Sequence, residues 1–409
     1  MLTCAVCSDA VFSQNYTVID LGTPGGFTNT SGSYSDPHGI NSSGSVAGEW
    51  APDANSQRAF LYTNNTNMDI GFVTGTQYIT AHGLNASNLV AGEASSVAGD
   101  VRAFLYTNGT MVDLTTYAPG GFTYSIAHAL NNPGTVVGES YTTSLPNSPV
   151  HAVIFTGNHL ESDLGTLSNG TYSAAFGINN SNVIVGESTV TSGNVYAFIY
   201  SNGVMSSLGT LPGGNYSAAF AINDAGQIAG EANTGTGETH AFLFKSGTMT
   251  DLGTLGGTNS SATGINSAGQ VVGYALTASQ EQHAFLYNGS AMVDLNTLIS
   301  GAVCTNLITA DGINDVGQIA GSGYTTNGDY HAFLLTPVLN VANPQVIANH
   351  FFQLTVQGTP GQQFVLKAST NLLNWTSLAT NTFAGYATNC VDSNAPSFSS
   401  RFYRAQLLP

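Results

Sequence analysis

Short apolar runs alternate along the chain with clusters of Gly, Asn, Ser and Thr, and the runs come in groups of four. In the most complete group they cover residues 262–266, 270–273, 283–287 and 292–295. Short apolar runs bounded by turn-forming residues predict β-strands that are buried on both faces, and no segment has a helical period. The pattern therefore predicts an all-β chain made of a repeated four-strand unit.

The repeat is easiest to follow at the third position of its His-Ala-Phe element. Seven residues occupy that position: Phe60, Phe104, Val153, Phe198, Phe242, Phe285 and Phe333. Their spacings are 44, 49, 45, 44, 43 and 48 residues. A period in the forties that holds four short strands is typical of a β-propeller blade, so we predict seven blades.

The two ends of the repeated region complement each other. The seventh copy stops after residues 331–335 without a fourth strand, and residues 16–22 match the fourth-strand segment 247–253. An N-terminal strand that completes the last blade would leave no unpaired sheet edge between the first and last repeats. We predict a seven-bladed β-propeller over residues 15–338, closed by the N-terminal strand.

The two ends of the chain differ from the repeats. Residues 344–409 contain three strand-like segments, at 351–356, 363–368 and 402–405, and predict a small all-β C-terminal domain. Residues 1–14 resemble a signal-peptide remnant or an N-terminal extension, so Cys4 and Cys7 are given no metal or redox role. Cys304 and Cys390 could form an inter-domain disulfide or stay free.

Charged residues are scarce and mostly acidic. They make up 7% of the chain, with 6 Lys and Arg against 23 Asp and Glu, for a formal net charge of −17. Such a surface repels nucleic acid and anionic lipid, and no apolar run is long enough to span a membrane. Polarity supplied by Asn, Ser, Thr and Gly predicts an extracellular or cell-surface protein, and a ring without open edges predicts a monomer.

The repeated phrase resembles that of a known family. It reads Leu-Gly-Thr-Leu-Gly-Gly at 252–257, Gly-Ile-Asn at 264–266, Gly-Gln-Val-Val-Gly at 269–273 and His-Ala-Phe-Leu-Tyr at 283–287. This phrase resembles the HAF-type extracellular repeat family of bacterial proteins over all seven copies. The C-terminal region is similar, more loosely, to a β domain of secreted planctomycete and verrucomicrobial proteins. The resemblance implies an exported β-propeller and brings no catalytic residue with it.

Positions that recur in nearly every copy are expected to hold the blades together. They include the Asp of the fourth strand, the Asn of the Ile-Asn element and the Glu that ends the second strand. We expect that Glu to pair across the next loop with the Arg, His or Tyr that opens the third strand; seven equivalent sugar sites are the alternative. The Glu residues are Glu49, Glu93, Glu139, Glu187 and Glu231, and their expected partners are Arg58, Arg102, His151, Tyr196 and His240.

One position on the innermost strand changes from copy to copy, just before the Gly/Ala-Ile-Asn element. In chain order it holds His38, His82, His128, Phe176, Phe220, Thr263 and Asp311. In a closed ring Asp311 neighbours His38, and we expect the position near the strand start, on the face of a ligand funnel. The three His and the Asp could hold Mn, Fe, Zn or Ca, form a metal-free polar pocket, or fill space between blades.

Other aromatic and basic residues cluster on the first repeats. Four residues before the variable position stand Tyr34, Tyr78, Tyr124, Tyr172 and Tyr216, which could line the funnel for sugar rings or anchor the loops. Trp50 is expected on a loop at the mouth, and Arg58 and Arg102 are the only arginines of the predicted propeller. Their concentration on repeats 1 to 3 predicts a single ligand site there.

Three functions are compatible with these residues. The first is a secreted protein that binds a polysaccharide or cell-surface glycan through Trp50 and the Tyr residues. The second is a metal-assisted polysaccharide lyase, with a His such as His38 and a Tyr such as Tyr34 as base and acid in either order, and Arg58 and Arg102 neutralising a uronate carboxylate. A hydrolase would instead use two carboxyl groups, drawn from Asp36, Glu49 and Asp311. The third is a purely structural cell-surface protein.

Overall fold

The computed structural model describes residues 16–24, 33–53, 56–115, 124–141, 149–156, 159–299, 303–358, 363–383, 387–398 and 400–408. The predicted signal-peptide remnant at 1–14, with Cys4 and Cys7, lies outside these ranges. The chain divides into two compact units. The larger comprises Val18–Thr297 and Gly301–Leu335, and the smaller contains the chain from Thr336 onward.

The described residues form strands and no α-helix, so the fold is all-β. The first strand and the strands of repeats 1 to 4 are β1 (Tyr16–Asp20), β2 (Tyr34–Ile40), β3 (Val46–Ala51), β4 (Arg58–Thr63), β5 (Thr66–Asp69), β6 (Tyr78–Leu84), β7 (Val90–Ser95), β8 (Val101–Thr107), β9 (Thr110–Asp113), β10 (Ser125–Leu130), β11 (Val136–Tyr141), β12 (Val150–Thr156), β13 (His159–Asp163), β14 (Asn169–Ile178), β15 (Ile184–Val190), β16 (Val195–Ser201) and β17 (Val204–Gly209).

The strands of repeats 5 to 7 are β18 (Ser217–Ile222), β19 (Ile228–Asn233), β20 (Thr239–Lys245), β21 (Thr248–Asp251), β22 (Gly256–Ile265), β23 (Val271–Thr277), β24 (Gln282–Tyr287), β25 (Met292–Asp294), β26 (Cys304–Ile313), β27 (Ile319–Thr325) and β28 (Tyr330–Pro337). A short 3-10 helix, Leu295–Thr297, follows β25. Each of repeats 1 to 6 contributes four consecutive strands that pair as a meander, and in repeat 7 the fourth strand is β1, which pairs with β28.

Every first strand is followed by an Asn that links its repeat to the next one, and we call these seven residues the Asn ladder. The Nδ2 of each Asn donates a hydrogen bond to the backbone carbonyl of the following repeat's Asn, at 2.9–3.2 Å. The last member, Asn314, donates to the carbonyl of Asn41 at 3.0 Å, so the hydrogen bonds form a cycle. All seven are buried: Asn41, Asn85, Asn131, Asn179, Asn223, Asn266 and Asn314.

Consecutive repeats also share their apolar cores. The residues at the third position of the His-Ala-Phe element, which define the repeat, are all 0–1% exposed. One cluster joins Ala47 and Leu61 of repeat 1 to Ile79 and Phe104 of repeat 2. Each sheet is thus buried between its neighbours, which is why its strands are apolar on both faces.

A serine after the Tyr position adds a polar contact that sequence analysis missed. In five repeats its hydroxyl accepts a hydrogen bond, at 2.8–3.0 Å, from the Ala N–H of the preceding repeat's third strand. The serines are Ser35, Ser125, Ser173, Ser217 and Ser260. The recurring Tyr-Ser dipeptide was the available signal.

The C-terminal unit contains two three-stranded sheets, β29-β30-β33 and β32-β31-β34. Their core includes Leu354, Phe364 and Phe383, with the two phenyl rings stacked 4.5 Å apart. Two 3-10 helices, Ala348–His350 and Ala395–Ser397, lie between strands. The strands are β29 (Asn340–Val346), β30 (Phe352–Gln357), β31 (Gln363–Ser369), β32 (Thr376–Thr382), β33 (Ala387–Asp392) and β34 (Phe402–Leu407).

Cys304 and Cys390 are both free and buried, so the alternative of a disulfide between them is not found. Burial raises the pKa of the Cys304 thiol to about 11. Since the thiolate is the reactive form, Cys304 is expected to be chemically inert at neutral pH.

Candidate functional site

The position that varies between repeats is a β-bulge in the first strand. Pairing with the second strand is interrupted around this residue in all seven repeats. His38, for example, lies between the pairs Pro37–Gly48 and Gly39–Ala47 and has no partner of its own. A bulge redirects one side chain away from the regular alternation of a strand. The backbone therefore presents one residue per repeat, and only its identity differs.

The bulge residues form a continuous row, which we call the axial row. Ring centroids of His38 and His82 are 5.6 Å apart, and those of His82 and His128 are 5.5 Å apart. His128 meets Phe176 edge to face at 5.0 Å, and Phe220 follows at 5.5 Å. The structure thus brings together the three His residues that the sequence comparison singled out.

The residues of the axial row lie farther along the first strand than predicted. His38 is the fifth of seven residues in β2, and His82 is the fifth of seven in β6. The expectation that this position lies near the strand start was wrong, because the first strand begins four residues earlier, at the Tyr. The row lies along the strands rather than at their entrance.

Each His of the row faces the Glu of its own repeat. The Nε2 atoms of His38, His82 and His128 lie 3.8–3.9 Å from carboxylate oxygens of Glu49, Glu93 and Glu139. That separation is longer than a direct hydrogen bond. The three Nε2 atoms are buried, whereas the His side chains are 30%, 23% and 19% exposed. Other atoms of the rings must therefore provide the accessible surface.

The titratable groups around the three His residues of the axial row shift one another's pKa values. Burial lowers the pKa of His38, but contact with Glu49 and the charges of Asp36 and Asp311 outweigh it, so the pKa is raised overall. Burial lowers the pKa of His82, and its His neighbours add to that effect. For Glu49, burial opposes ionisation, yet His38 and hydrogen bonds from Tyr34 and Thr80 lower its pKa to about 2. This part of the axial row therefore combines the ionised carboxylate of Glu49 with two imidazoles of unequal basicity, those of His38 and His82.

The pKa of Glu187, in a repeat with Phe at the bulge position, is shifted in the opposite direction from that of Glu49. Glu187 belongs to repeat 4, where the bulge residue is Phe176. Burial raises the pKa of Glu187 to about 7, with contributions from the charges of Glu139 and Glu231. Glu187, whose repeat carries Phe at the bulge position, therefore keeps its proton more readily than Glu49 does.

Two further carboxyl groups occur where repeat 7 meets repeat 1. Thr309 donates a hydrogen bond to Asp311 at 3.0 Å, and its hydroxyl also lies 2.8 Å from that of Ser322. Ser322 in turn hydrogen-bonds to Asp36, so one hydroxyl network joins both carboxyl groups. Burial and the charge of Asp36 raise the pKa of Asp311 to about 8, against the opposing effect of His38. Asp36, Asp311 and Glu49, suggested by the sequence, thus surround His38.

Four of the five Tyr residues predicted to line the funnel donate a hydrogen bond from the phenol hydroxyl to a Glu carboxylate. Tyr34 donates to Glu49 at 2.9 Å, Tyr216 to Glu231 at 2.9 Å, and Tyr124 and Tyr172 both to Glu139, at 2.6 and 3.0 Å. Tyr78 is the most exposed, at 38%. Burial, together with the neighbouring Glu, raises the pKa of Tyr34, so its phenol stays neutral and is a weak base at neutral pH.

The predicted partners of the Glu residues were wrong. Glu49 lies opposite Ala59, while Arg58 lies opposite Trp50. Arg58 instead pairs with Asp69 of the fourth strand, and Arg102 with Asp113. Their guanidinium groups are therefore held by carboxylates, which argues against the predicted role of neutralising a uronate.

Trp50 also differs from its predicted place. It belongs to β3 and is 3% exposed, within the core shared by repeats 7 and 1. A buried indole cannot stack on a sugar at the surface, so its proposed place on a mouth loop was wrong. Arg58 lies near it, 5.9 Å from the ring.

The axial row does not present a ready-made metal site. The Nε2 atoms point at three separate carboxylates instead of a common point. Among the residues that the structure describes, no group of three or more His, Cys, Asp and Glu side chains is arranged to hold a metal ion. A divalent ion on His38, His82, His128 and Asp311 stays a prediction, and the function proposed below does not depend on it.

Comparisons with known proteins give distant likenesses. No protein-family model and no curated protein matches the chain. A fungal lectin from Aleuria aurantia, a six-bladed β-propeller that recognises fucose, is 10% identical with a TM-score of 0.36 and covers 69% of this chain and 94% of its own. An arginine triple mutant of AofleA from Arthrobotrys oligospora is 11% identical with a TM-score of 0.32 and covers 93% of both chains. A gluconolactonase from Xanthomonas campestris is 12% identical with a TM-score of 0.26, over 67% of this chain and 80% of the enzyme.

Likenesses with such low TM-scores carry no argument about ligand or activity. In the described part of the chain, no helix is long and apolar enough to cross a membrane.

Proposed function

We propose that this protein is a secreted, monomeric, glycan-binding β-propeller of seven blades, closed by β1, with a single ligand site at the axial row of repeats 1 to 3. The cycle of Asn hydrogen bonds supports the closed ring, because it passes through every repeat and returns to Asn41. The resemblance to HAF-type extracellular repeats supports secretion.

The observation that carries the ligand site is the contrast at the bulge position. The same backbone presents His in repeats 1 to 3 and Phe in repeats 4 and 5. Imidazoles can donate and accept hydrogen bonds with sugar hydroxyls, and aromatic faces can stack on the apolar faces of sugar rings. Neighbouring carboxylates and neutral phenols favour a neutral sugar over an anionic one.

The test is binding of neutral and uronate-containing glycans, by calorimetry, to the wild type and to the variant His38→Phe/His82→Phe/His128→Phe. Phe is the residue that repeats 4 and 5 carry at this position, so the variant is expected to fold. We expect a neutral glycan to bind the wild type at least about tenfold more tightly than the variant. The matched control carries His240→Phe, His283→Phe and His331→Phe at the repeated position and should bind as the wild type does. Equal binding by wild type and axial-row variant, or no binding by any glycan, would contradict the proposal.

A glycan-active enzyme is the second candidate, and the carboxyl groups around His38 favour it. A carboxyl group that keeps its proton at neutral pH, as Asp311 does, can act as a general acid. Mass spectrometry of a glycan panel incubated with the protein distinguishes the reactions: lyase products are lighter than hydrolysis products by one water. If every glycan stays intact, the protein is not a glycan-active enzyme. If no glycan binds either, the purely structural role is the function that remains.

A further inference from the structure

A cavity lies at the C-terminal end of the first strands, next to the residues of the Asn ladder. Its volume is about 270 Å³, and residues from all seven repeats line it. It does not include any residue of the axial row. Its aliphatic wall consists of Ile40, Leu84, Leu130, Ile178, Ile222 and Ile265.

The polar rim of this cavity follows a repeated pattern. In four repeats the residue after the ladder Asn accepts a hydrogen bond, through its side chain, from a backbone N–H of the preceding repeat. Asn132 accepts from Ala86 at 3.0 Å and Asn180 from Asn132 at 2.9 Å. Asp224 and Asp315 do the same, each at 2.9 Å, for the N–H groups of Asn180 and Ser267.

This pattern shows that the negative charge is not required for the contact between repeats. An Asn makes the bond in two repeats and an Asp makes it in two others, with similar distances. The carboxylates of Asp224 and Asp315 therefore bring a charge to the rim that the fold does not need. Both side chains are exposed and line the cavity.

The remaining lining makes the cavity selective for charge. None of its lining residues is Lys, Arg or His, and the whole chain carries a formal net charge of −17. An anionic ligand would meet repulsion without a compensating partner, and a cation would meet two carboxylates beside an aliphatic wall.

We propose that this cavity binds a small organic cation, with its ammonium group at one of the two rim carboxylates, Asp224 or Asp315, and its aliphatic part against the Ile and Leu side chains. The site is independent of the glycan site proposed above, because the two share no residue.

The test compares three ligands with the same six-carbon chain: hexylammonium, hexanol and hexanoate. Binding is followed by NMR titration of the purified protein at low ionic strength. We expect hexylammonium to bind at least about tenfold more tightly than hexanol, hexanoate to bind most weakly, and added salt to weaken only the hexylammonium complex. Ethylammonium should bind more weakly than hexylammonium, since it buries fewer methylene groups.

The variant Asp224→Asn/Asp315→Asn should abolish the preference for hexylammonium over hexanol. It keeps an acceptor oxygen at both positions, as Asn132 and Asn180 do, and gives up only the exposed hydrogen bond that Asn180 Nδ2 donates to Asp224 at 2.8 Å. Its melting temperature should therefore stay close to the wild type's. The control Glu238→Gln/Glu281→Gln changes the net charge equally on turns that do not line the cavity, and should keep the preference. Equal affinity of hexylammonium and hexanol for the wild type, or the same loss in both variants, would overturn the proposal.

Discussion

Two positions of the repeat carry several histidines each, and the two sets of histidines behave differently. In the outer set, His Nδ1 contacts the Asp of the fourth strand at 2.7–3.0 Å. This set consists of His151, His240, His283 and His331. The inner set consists of the three His residues of the axial row: His38, His82 and His128 face Glu residues at 3.8–3.9 Å.

The substitutions that the chain itself contains explain this difference. In repeats 1 and 2, where the outer His is absent, Arg58 and Arg102 contact the equivalent Asp69 and Asp113, so the ion pair is preserved. In repeat 4 both partners change together, to Tyr196 and Ser207. At the inner position, Phe176 and Phe220 replace the imidazole and no equivalent interaction survives. A repeated position preserves an interaction that the sheet uses, whereas the varied position changes the chemistry of one surface.

If repeated positions hold the sheets together, substituting one of them should lower the free energy of unfolding. We expect the largest loss at a repeated glycine. Gly230 lies in β19, and a Cβ there would be 2.0 Å from the carbonyl oxygen of Ala218. We expect Gly230→Ala to lower the free energy of unfolding by about 3 kcal/mol or more, because the two strands cannot separate without losing their pairing. Chemical denaturation measures it. Gly235→Ala, whose Cβ would lie 3.3 Å from the nearest atom, should cost much less; equal costs would count against the close-approach argument.

A smaller loss is expected at the Asn ladder. Asn179 donates to the carbonyl of Asn223 and accepts from the N–H groups of Ser181 and Val183. Asn179→Ala leaves buried groups without partners and should lower the free energy of unfolding by about 2 kcal/mol. Asn179→Asp keeps the acceptor and loses the donor, so it isolates the bond to the next repeat. Denaturation curves for Ser181→Ala, an exposed neighbour, provide the baseline, and a ladder variant no less stable than this baseline would refute the stabilising role of the Asn hydrogen bonds.

The smallest effect concerns a position that is not repeated. The pKa of Asp311 is about 8 in the folded protein, above its ordinary value of about 3.9. The folded state therefore holds a proton that the unfolded state releases, and the wild type should lose stability as the pH rises from about 4 to about 8. Asp311→Asn removes this contribution, so its stability should gain on the wild type's by about 1 kcal/mol or more over that range. Parallel stability curves between pH 4 and pH 8 would show that the carboxyl group is not perturbed.

Much of the fold could be predicted from the sequence because the repeat is strong. Spacing and turn residues predicted four strands in each copy, and the matching of residues 16–22 to 247–253 anticipated the pairing of β1 with β28. In the C-terminal unit, the strand segments starting at 351, 363 and 402 correspond to β30, β31 and β34. Strands β29, β32 and β33 were missed, since their mixed polar composition gives little alternation.

The site was predicted less completely, for reasons of register. Comparing the repeats identified the axial row, but the bulge that aims it has no sequence signal of its own. Glu49 and Arg58 were expected to pair, yet the pairing places Arg58 opposite Trp50. A register difference of one residue moves a side chain to the opposite face of the sheet, so Arg58 meets Asp69 and the Glu is left to Tyr34 and His38.

The most direct test of the central claim is an NMR titration of the histidine ring resonances with a glycan that binds. The account predicts that the signals of His38, His82 and His128 shift on saturation. The signals of His240, His283 and His331, held by their Asp partners, should stay in place. Shifts confined to this outer set, or to neither set, would contradict a ligand site at the axial row.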